Sequence, residues 1–203
     1  MNHSILCKDA LLWLEEQPDH SLDNIITGIP DMNEVDMSME DYTQFFIKAV
    51  QLIFQKVKPV SYVIFMVTDR KYKGTWFDKS FLIQQHASSL KWHKIILLRD
   101  VGKIHIQRPT YQHYLCFSIS SGPGNATPDV IYGGKRSYAN GACLPALEHA
   151  VSFIKRYAPH QFIIDPFVGR GSTLQEAKKQ NIPGLGIDLN PTQCEFANKN
   201  LCL

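Results

Sequence analysis

Residues 161–190, QFIIDPFVGRGSTLQEAKKQNIPGLGIDLN, decide how the rest of the chain is read. Phe162, Ile163 and Ile164 form a short apolar run ending at Asp165, where a buried parallel strand would run out. Gly169 and Gly171 permit the backbone excursions of a tight loop that a ligand can approach closely. Ser172 and Thr173 are placed to cap the helix that follows, TLQEAKKQ. Gly184-Leu185-Gly186-Ile187 then forms a second strand that carries Asp188 to the same sheet edge. In doubly wound folds an acidic residue in that place holds ribose hydroxyls, so the segment is expected to bind a nucleoside-type cofactor.

The details narrow the cofactor. A dinucleotide fingerprint needs G-x-G-x-x-G directly after the first strand, and Gly184 and Gly186 lack the third glycine. A phosphate-binding P-loop needs a lysine that Gly171-Ser172-Thr173 does not have. Asp165 would repel a phosphate but suits a cationic ligand, such as a sulfonium that also carries an ammonium group.

Asp165-Pro166-Phe167-Val168-Gly169-Arg170-Gly171-Ser172-Thr173 resembles the D-P-F-x-G-x-G-[ST]-T motif of amino-methyltransferases that modify exocyclic amines of DNA bases. An ordinary strand–turn–helix unit would account for the glycines but not for Asp-Pro-Phe. The resemblance implies a Rossmann-like α/β fold with a doubly wound, mostly parallel, seven-stranded sheet, and S-adenosyl-L-methionine as cofactor. It also implies that Asp165 to Thr173 cradle the methionine part, that Phe167 packs beside the cofactor, and that Asp188 holds the ribose.

In most methyltransferases of this fold the cofactor motif opens the domain; here it lies in the last quarter of the sequence. What should follow it stands at the front. Ile5-Leu6 is a short apolar strand followed by Asp9, which resembles the acidic residue that meets the adenine. Ala10 to Glu16 is an amphipathic helical turn, and Leu22 to Thr27 is the next strand, arriving at Gly28-Ile29-Pro30-Asp31. This order resembles the permuted β-class of the family, in which the catalytic motif precedes the cofactor motif. Between the two, Tyr42 to Val57 and Phe81 to Leu90 read as helices. Tyr62 to Val67, Ile95 to Leu98 and Tyr114 to Ile119 read as strands, and Leu144 to Tyr157 as the helix entering the cofactor strand. That makes seven strands, leaving no surplus for a separate target-recognition domain: the expectation is one methyltransferase domain over 1–203.

The catalytic position departs from the family. Its motif is [DNS]-P-P-[YFW], whose first side chain and following carbonyl accept hydrogen bonds from the target amine while the aromatic stacks on the extruded base. Here the four positions are Gly28, Ile29, Pro30 and Asp31: the first side chain, one proline and the aromatic are gone. Three readings stay open. Asp31 takes over as acceptor or base; the substrate atom is something other than a DNA exocyclic amine; or the domain binds without turnover. Asp31 also fits as a loop aspartate capping the next turn. A second departure precedes the cofactor helix, where Tyr138-Ala139-Asn140-Gly141-Ala142-Cys143-Leu144-Pro145 keeps a proline but not the family's Lys-Pro. Pro145 fits a first-turn helix position, and Asn140 is the candidate for the methionine carboxylate.

Composition sets outer bounds. The 44% hydrophobic content of 203 residues suffices for a sizeable core, and no apolar run is long enough to span a bilayer. Met1-Asn2-His3 begins no signal peptide, so a cytoplasmic (or, in a eukaryote, nuclear) protein is expected. The five scattered cysteines show no metal-ligand spacing and read as reduced thiols. A net charge of +2 says little, but Arg70-Lys71-Tyr72-Lys73, then Arg99, Lys103, His105 and Arg108, then Lys135-Arg136-Ser137-Tyr138 mix cations with aromatics as a nucleic-acid groove would. Ser120 to Gly141 is a long loop rich in glycine and small polar residues. With no recognition domain expected, specificity would fall to that loop, a partner subunit or second copy, or a folded RNA, so RNA is slightly preferred over DNA. The alternatives are a non-catalytic subunit of a methyltransferase complex and a small-molecule methyltransferase.

Overall fold

The computed structural model describes residues 2–87, 91–98, 109–120, 128–138 and 141–202, and within 91–98 the backbone alone. Asn140 and the cluster Arg99, Lys103, His105 and Arg108 lie outside the described residues, as do parts of the long loop.

In chain order the strands are β1 (His3–Cys7), β2 (Asn24–Thr27), β3 (Tyr62–Val67), β4 (Arg70–Tyr72), β5 (Thr75–Phe77), β6 (Lys91–Leu98), β7 (Tyr111–Ser118), β8 (Val130–Tyr132), β9 (Ile163–Asp165) and β10 (Gly184–Asp188). The helices are α1 (Ala10–Glu16), α2 (Met39–Lys56), α3 (Lys79–His86), α4 (Leu144–Tyr157), α5 (Ser172–Lys179) and α6 (Pro191–Cys202), with a 3-10 turn at Met32–Glu34. Among the described residues the main sheet has eight strands, in the order β1-β10-β9-β2-β3-β7-β6-β8. From β1 to β3 every neighbouring pair is parallel, whereas β7 runs against both β3 and β6.

All seven expected strands are present. The eighth, β8, falls in the segment expected to be loop and pairs with β6 at the sheet edge. The β4–β5 hairpin, also unexpected, forms a separate two-stranded sheet.

The central strands β2, β3 and β9 are buried on both faces, which is why they read as continuous apolar runs. Along β3, Val63, Phe65 and Val67 join one core with α1, α2 and α3, while Tyr62, Ile64 and Met66 join the other with α4 and α5. Asn24 is the polar pin of this region. Its side-chain amide donates to the His160 and Phe162 carbonyls at 2.6 and 3.1 Å, and its oxygen accepts from the Tyr62 N–H at 3.1 Å. A fully buried amide so satisfied fixes β2 between β9 and β3. The order in which successive strands are added reverses between β9 and β2, which stay parallel, and their carboxyl ends open the crevice that such a switch point creates.

Candidate active site

The carboxyl ends of β1, β10, β9 and β2 deliver Asp9, Asp188, Asp165 and Gly28–Asp31 to one open cleft of about 1220 Å³. Phe167, Gly169, Ser172 and Thr173 line the same cleft. Pro166 and Gly171 are buried and shape the loop without lining the cleft. Of the candidates named from sequence, only Asn140 cannot be placed, because it lies outside the described residues.

Asp165 is 3% exposed. Its Oδ1 accepts from Thr27 Oγ1 at 2.7 Å, across the switch point, and from the Phe167 N–H at 3.2 Å. Burial pushes its carboxyl up to about 6, against the opposing pull of hydrogen bonds from Thr27, Thr173 and the Phe167 N–H. The hydroxyl of Thr173 is thus spent on this carboxylate. The expected cap by Ser172 or Thr173 is therefore a misreading: the capping position of α5 is Gly171, no side chain caps it, and Ser172 already lies in the helix. A buried carboxylate needs donors more than N–H groups beside an open cleft do.

Asp188 ties down the glycine loop. Its Oδ2 accepts from the Gly169 N–H and its Oδ1 from the Asn190 N–H, both at 2.9 Å. Gly169 has φ +52°, and a Cβ there would stand 2.7 Å from Tyr138 Oη. Tyr138 lies on the loop, its hydroxyl accepting from the Arg170 N–H, and the Arg170 guanidinium sits 5.0 Å from the Tyr138 ring and 4.8 Å from that of Phe196. Phe167 meets Phe45 edge-on at 6.0 Å. At the far end of the cleft Asp9 caps α1, its Oδ1 accepting from the Leu11 and Leu12 N–H groups at 2.8 and 3.1 Å.

The tetrapeptide end is different. Asp31 caps the 3-10 turn in a capping box, with Glu34 Oε2 accepting from the Asp31 N–H at 2.8 Å. Its Oδ1 accepts from the Met32 N–H at 2.9 Å and from Lys79 Nζ at 3.1 Å, and its Oδ2 from Arg70 Nη1 at 2.7 Å. The Lys79 side chain is 4% exposed; burial pulls its ammonium below the usual lysine range while Asp31 works the other way. Tyr42, fully buried, donates its hydroxyl to the Pro30 carbonyl at 2.9 Å, and burial raises its phenol so that it stays a donor. At Gly28 a Cβ would lie 3.1 Å from the Met66 carbonyl oxygen.

Sequence reasoning does not single out Thr27, Tyr42 or Lys79, and it sees Arg70 only as part of a basic cluster. Thr27 carries a usable signal, as the last, polar residue of an apolar strand. Tyr42 and Lys79 carry none, since each reaches the site only through tertiary packing.

No protein-family model matches the chain. It is 27% identical over 169 residues to the orphan methyltransferase M.BamHII of Bacillus amyloliquefaciens, covering 79% of this chain and 55% of that protein. The chain thus spans about half the length of that curated relative. Among solved structures it superposes on a Thermus thermophilus protein, assigned as a DNA modification methylase and complexed with S-adenosyl-L-methionine, with a TM-score of 0.72 at 18% identity, covering 99% of this chain and 93% of that one. It superposes on the PvuII DNA methyltransferase, cytosine-N4-specific, with a TM-score of 0.74 at 14% identity, covering 98% and 86%. The likeness first read in Asp165 to Thr173 extends to the whole architecture: the chain has the Rossmann-like α/β fold of the methyltransferases on which it superposes.

Proposed function

We propose that this chain is an S-adenosyl-L-methionine-dependent methyltransferase acting on a base of DNA. The observation that carries the reading is the single cleft in which Asp9, Asp188, Asp165 and the glycine loop share walls with Gly28–Asp31. The residues fit the cofactor. A carboxylate buried among neutral donors calls for a cation, and the loop at Gly169 has space for nothing larger than hydrogen beside Tyr138. Asp165 and the loop to Thr173 would hold the methionine part, Asp188 the ribose and Asp9 the adenine. When bound, the cofactor supplies an electrophilic methyl group.

The chain's own task is to hold a nucleophile in line and accept hydrogen bonds from it. With no side chain at Gly28 and with Asp31 held by Lys79 and Arg70, the acceptors we assign are the backbone carbonyls of Gly28 and Ile29. Tyr42 sets their position by fixing the Pro30 carbonyl. Asp31 then organises the loop and is not a base. DNA is preferred to RNA because the two solved structures described above are named for DNA; the sequence-based preference for RNA rests only on the expected lack of a recognition domain. In this reading one domain does the chemistry, and target selection comes from a partner subunit or second copy. No helix among the described residues is long and apolar enough to cross a membrane.

The test is methyl transfer from tritiated cofactor to genomic DNA and to total RNA, each followed by nuclease digestion. Nuclease-sensitive label in DNA is the expected result. Label in RNA, or in nuclease-resistant small molecules, overturns the substrate assignment. A second reading, a binding subunit without turnover, is favoured by the neutralised Asp31; cofactor binding with no label in any substrate would establish it.

A further inference from the structure

The β4–β5 hairpin adjoins the tetrapeptide end of the cleft, and its residues are unusually placed. It reads Arg70-Lys71-Tyr72-Lys73-Gly74-Thr75-Trp76-Phe77, with three cations and no carboxylate. Lys73 and Gly74 form its two-residue turn with φ +46° and +85°, the positive pair that a tight hairpin of this twist requires. The register pairs Arg70 with Phe77, Lys71 with Trp76 and Tyr72 with Thr75. Phe77 packs inward, 5.4 Å from the Tyr42 ring and 6.0 Å from that of Phe46, and Arg70 bonds Asp31. Alternation along a strand therefore turns the Lys71–Trp76 pair outward, and Trp76 is 53% exposed. Lys73 stands 5.3 Å from the Tyr72 ring.

The ribbon's root is held firmly. Asp69, 7% exposed, bonds His113 Nε2 at 2.7 Å and accepts from the Ser80 N–H at 3.3 Å. Arg70 and Lys71 also line the cleft, so the ribbon begins where the catalytic tetrapeptide ends. A cationic face free of carboxylates, carrying an exposed indole and contiguous with the cleft, complements a polyanion that also offers flat apolar surfaces.

We propose that the outward face of this hairpin binds the DNA flanking the target base. Lys71 and Lys73 each neutralise a backbone phosphate, and Trp76 lies against a base or sugar. This rests on the nucleic-acid reading above and specifies which surface outside the cleft takes the substrate.

The experiment measures binding of a fluorescein-labelled mixed-sequence DNA duplex by anisotropy, across a sodium chloride series, with S-adenosylhomocysteine present. Loss of two phosphate contacts in the Lys71→Ala/Lys73→Ala protein should flatten the log–log salt slope by about 1.8. Trp76→Ala should weaken binding roughly tenfold at every salt concentration and leave the slope unchanged. Lys155→Ala, on α4 against the opposite core, should match the wild type, and all variants should bind S-adenosylhomocysteine with wild-type affinity by calorimetry. Wild-type affinity and slope in the hairpin variants, while the wild type binds the duplex, overturn the hairpin assignment and leave the methyltransferase reading standing. Failure of the wild type to bind any nucleic acid overturns both. The same sensitivities on single-stranded RNA, with no duplex binding, overturn the DNA assignment.

Discussion

Two aspartates face the same cleft and are held by opposite kinds of partner. Asp165 is met by hydroxyls and a backbone N–H, all neutral, at a site 3% exposed. Asp31, with its side chain 26% exposed, is met by the cations of Arg70 and Lys79. Neutral donors orient a carboxylate and leave its charge to be matched from outside. Cationic donors match it in advance. The end of the cleft proposed for the cofactor is thus charged in waiting, whereas the tetrapeptide end is already balanced, and in the proposed reading Asp31 acts as a brace.

The severest test is to remove the waiting charge. Asp165→Ala strands the Thr27, Thr173 and Phe167 donors and should weaken S-adenosylhomocysteine binding about 100-fold or more, on the order of 3 kcal/mol, in a calorimetric titration. Wild-type affinity in that variant would end the proposed role. The pH dependence follows from the same group. The carboxyl sits near 6 in the free protein, above the ordinary 3.8. Its contribution to stability is therefore fully present below the ordinary value and lost as pH rises through about 6. A cationic ligand favours the ionised form, so affinity should climb over that same window with release of a proton. Calorimetry in two buffers of different ionisation enthalpy reads the proton, and Asp165→Asn should abolish it.

The balanced end predicts a different pattern. Asp31→Asn leaves the Lys79 ammonium buried without its countercharge and should cost about 2 kcal/mol, less than a fully buried pair because Asp31 is partly in water. Its affinity for S-adenosylhomocysteine should stay within about twofold, since nothing at the cofactor end depends on it. Adding Lys79→Met should restore most of the melting temperature and, if Asp31 is a brace, turnover as well. A stable but inactive double variant would show that the carboxylate itself is needed. Tyr42→Phe removes only the hydrogen bond to the Pro30 carbonyl and should cost about 1 kcal/mol, with turnover reduced and cofactor KM unchanged. Smallest is Gly28→Ser, which crowds the Met66 carbonyl by a few tenths of an ångström. It should cost about 1 kcal/mol or less in a chemical melt.

The same contrast explains what the sequence discloses. The glycine loop is legible because Gly169 and Gly171 both adopt positive φ, a requirement that few residues besides glycine meet. The central strands are legible because burial on both faces removes polar residues from them, and α1 and α4 match their expected bounds, with Pro145 in the first turn of α4. The β4–β5 hairpin is not, since strands of three residues show no periodicity and its cations mask them. Lys73-Gly74, a two-residue turn ending in glycine, is its one local signal. At the site, Asp165 and Asp188 can be named from their strand ends. The role of Asp31 cannot: the capping alternative is in view, but Arg70 and Lys79 arrive from 39 and 48 residues away. Long-range ion pairs leave no mark on local sequence.

The position of β1 has a consequence for how the molecule is made. Among the described residues this strand has one ladder partner, β10, with His3 opposite Gly184 and Cys7 opposite Asp188. Of this sheet's strands it leaves the ribosome earliest, and its mate leaves last. During translation its amides therefore wait unpaired while the interior of the sheet can already assemble. The rim carrying Asp9 and Asp188 is completed only once β10 has emerged, so a nascent chain stalled before Gly184 would have a hydrophobic centre but lack one wall of the proposed cofactor site.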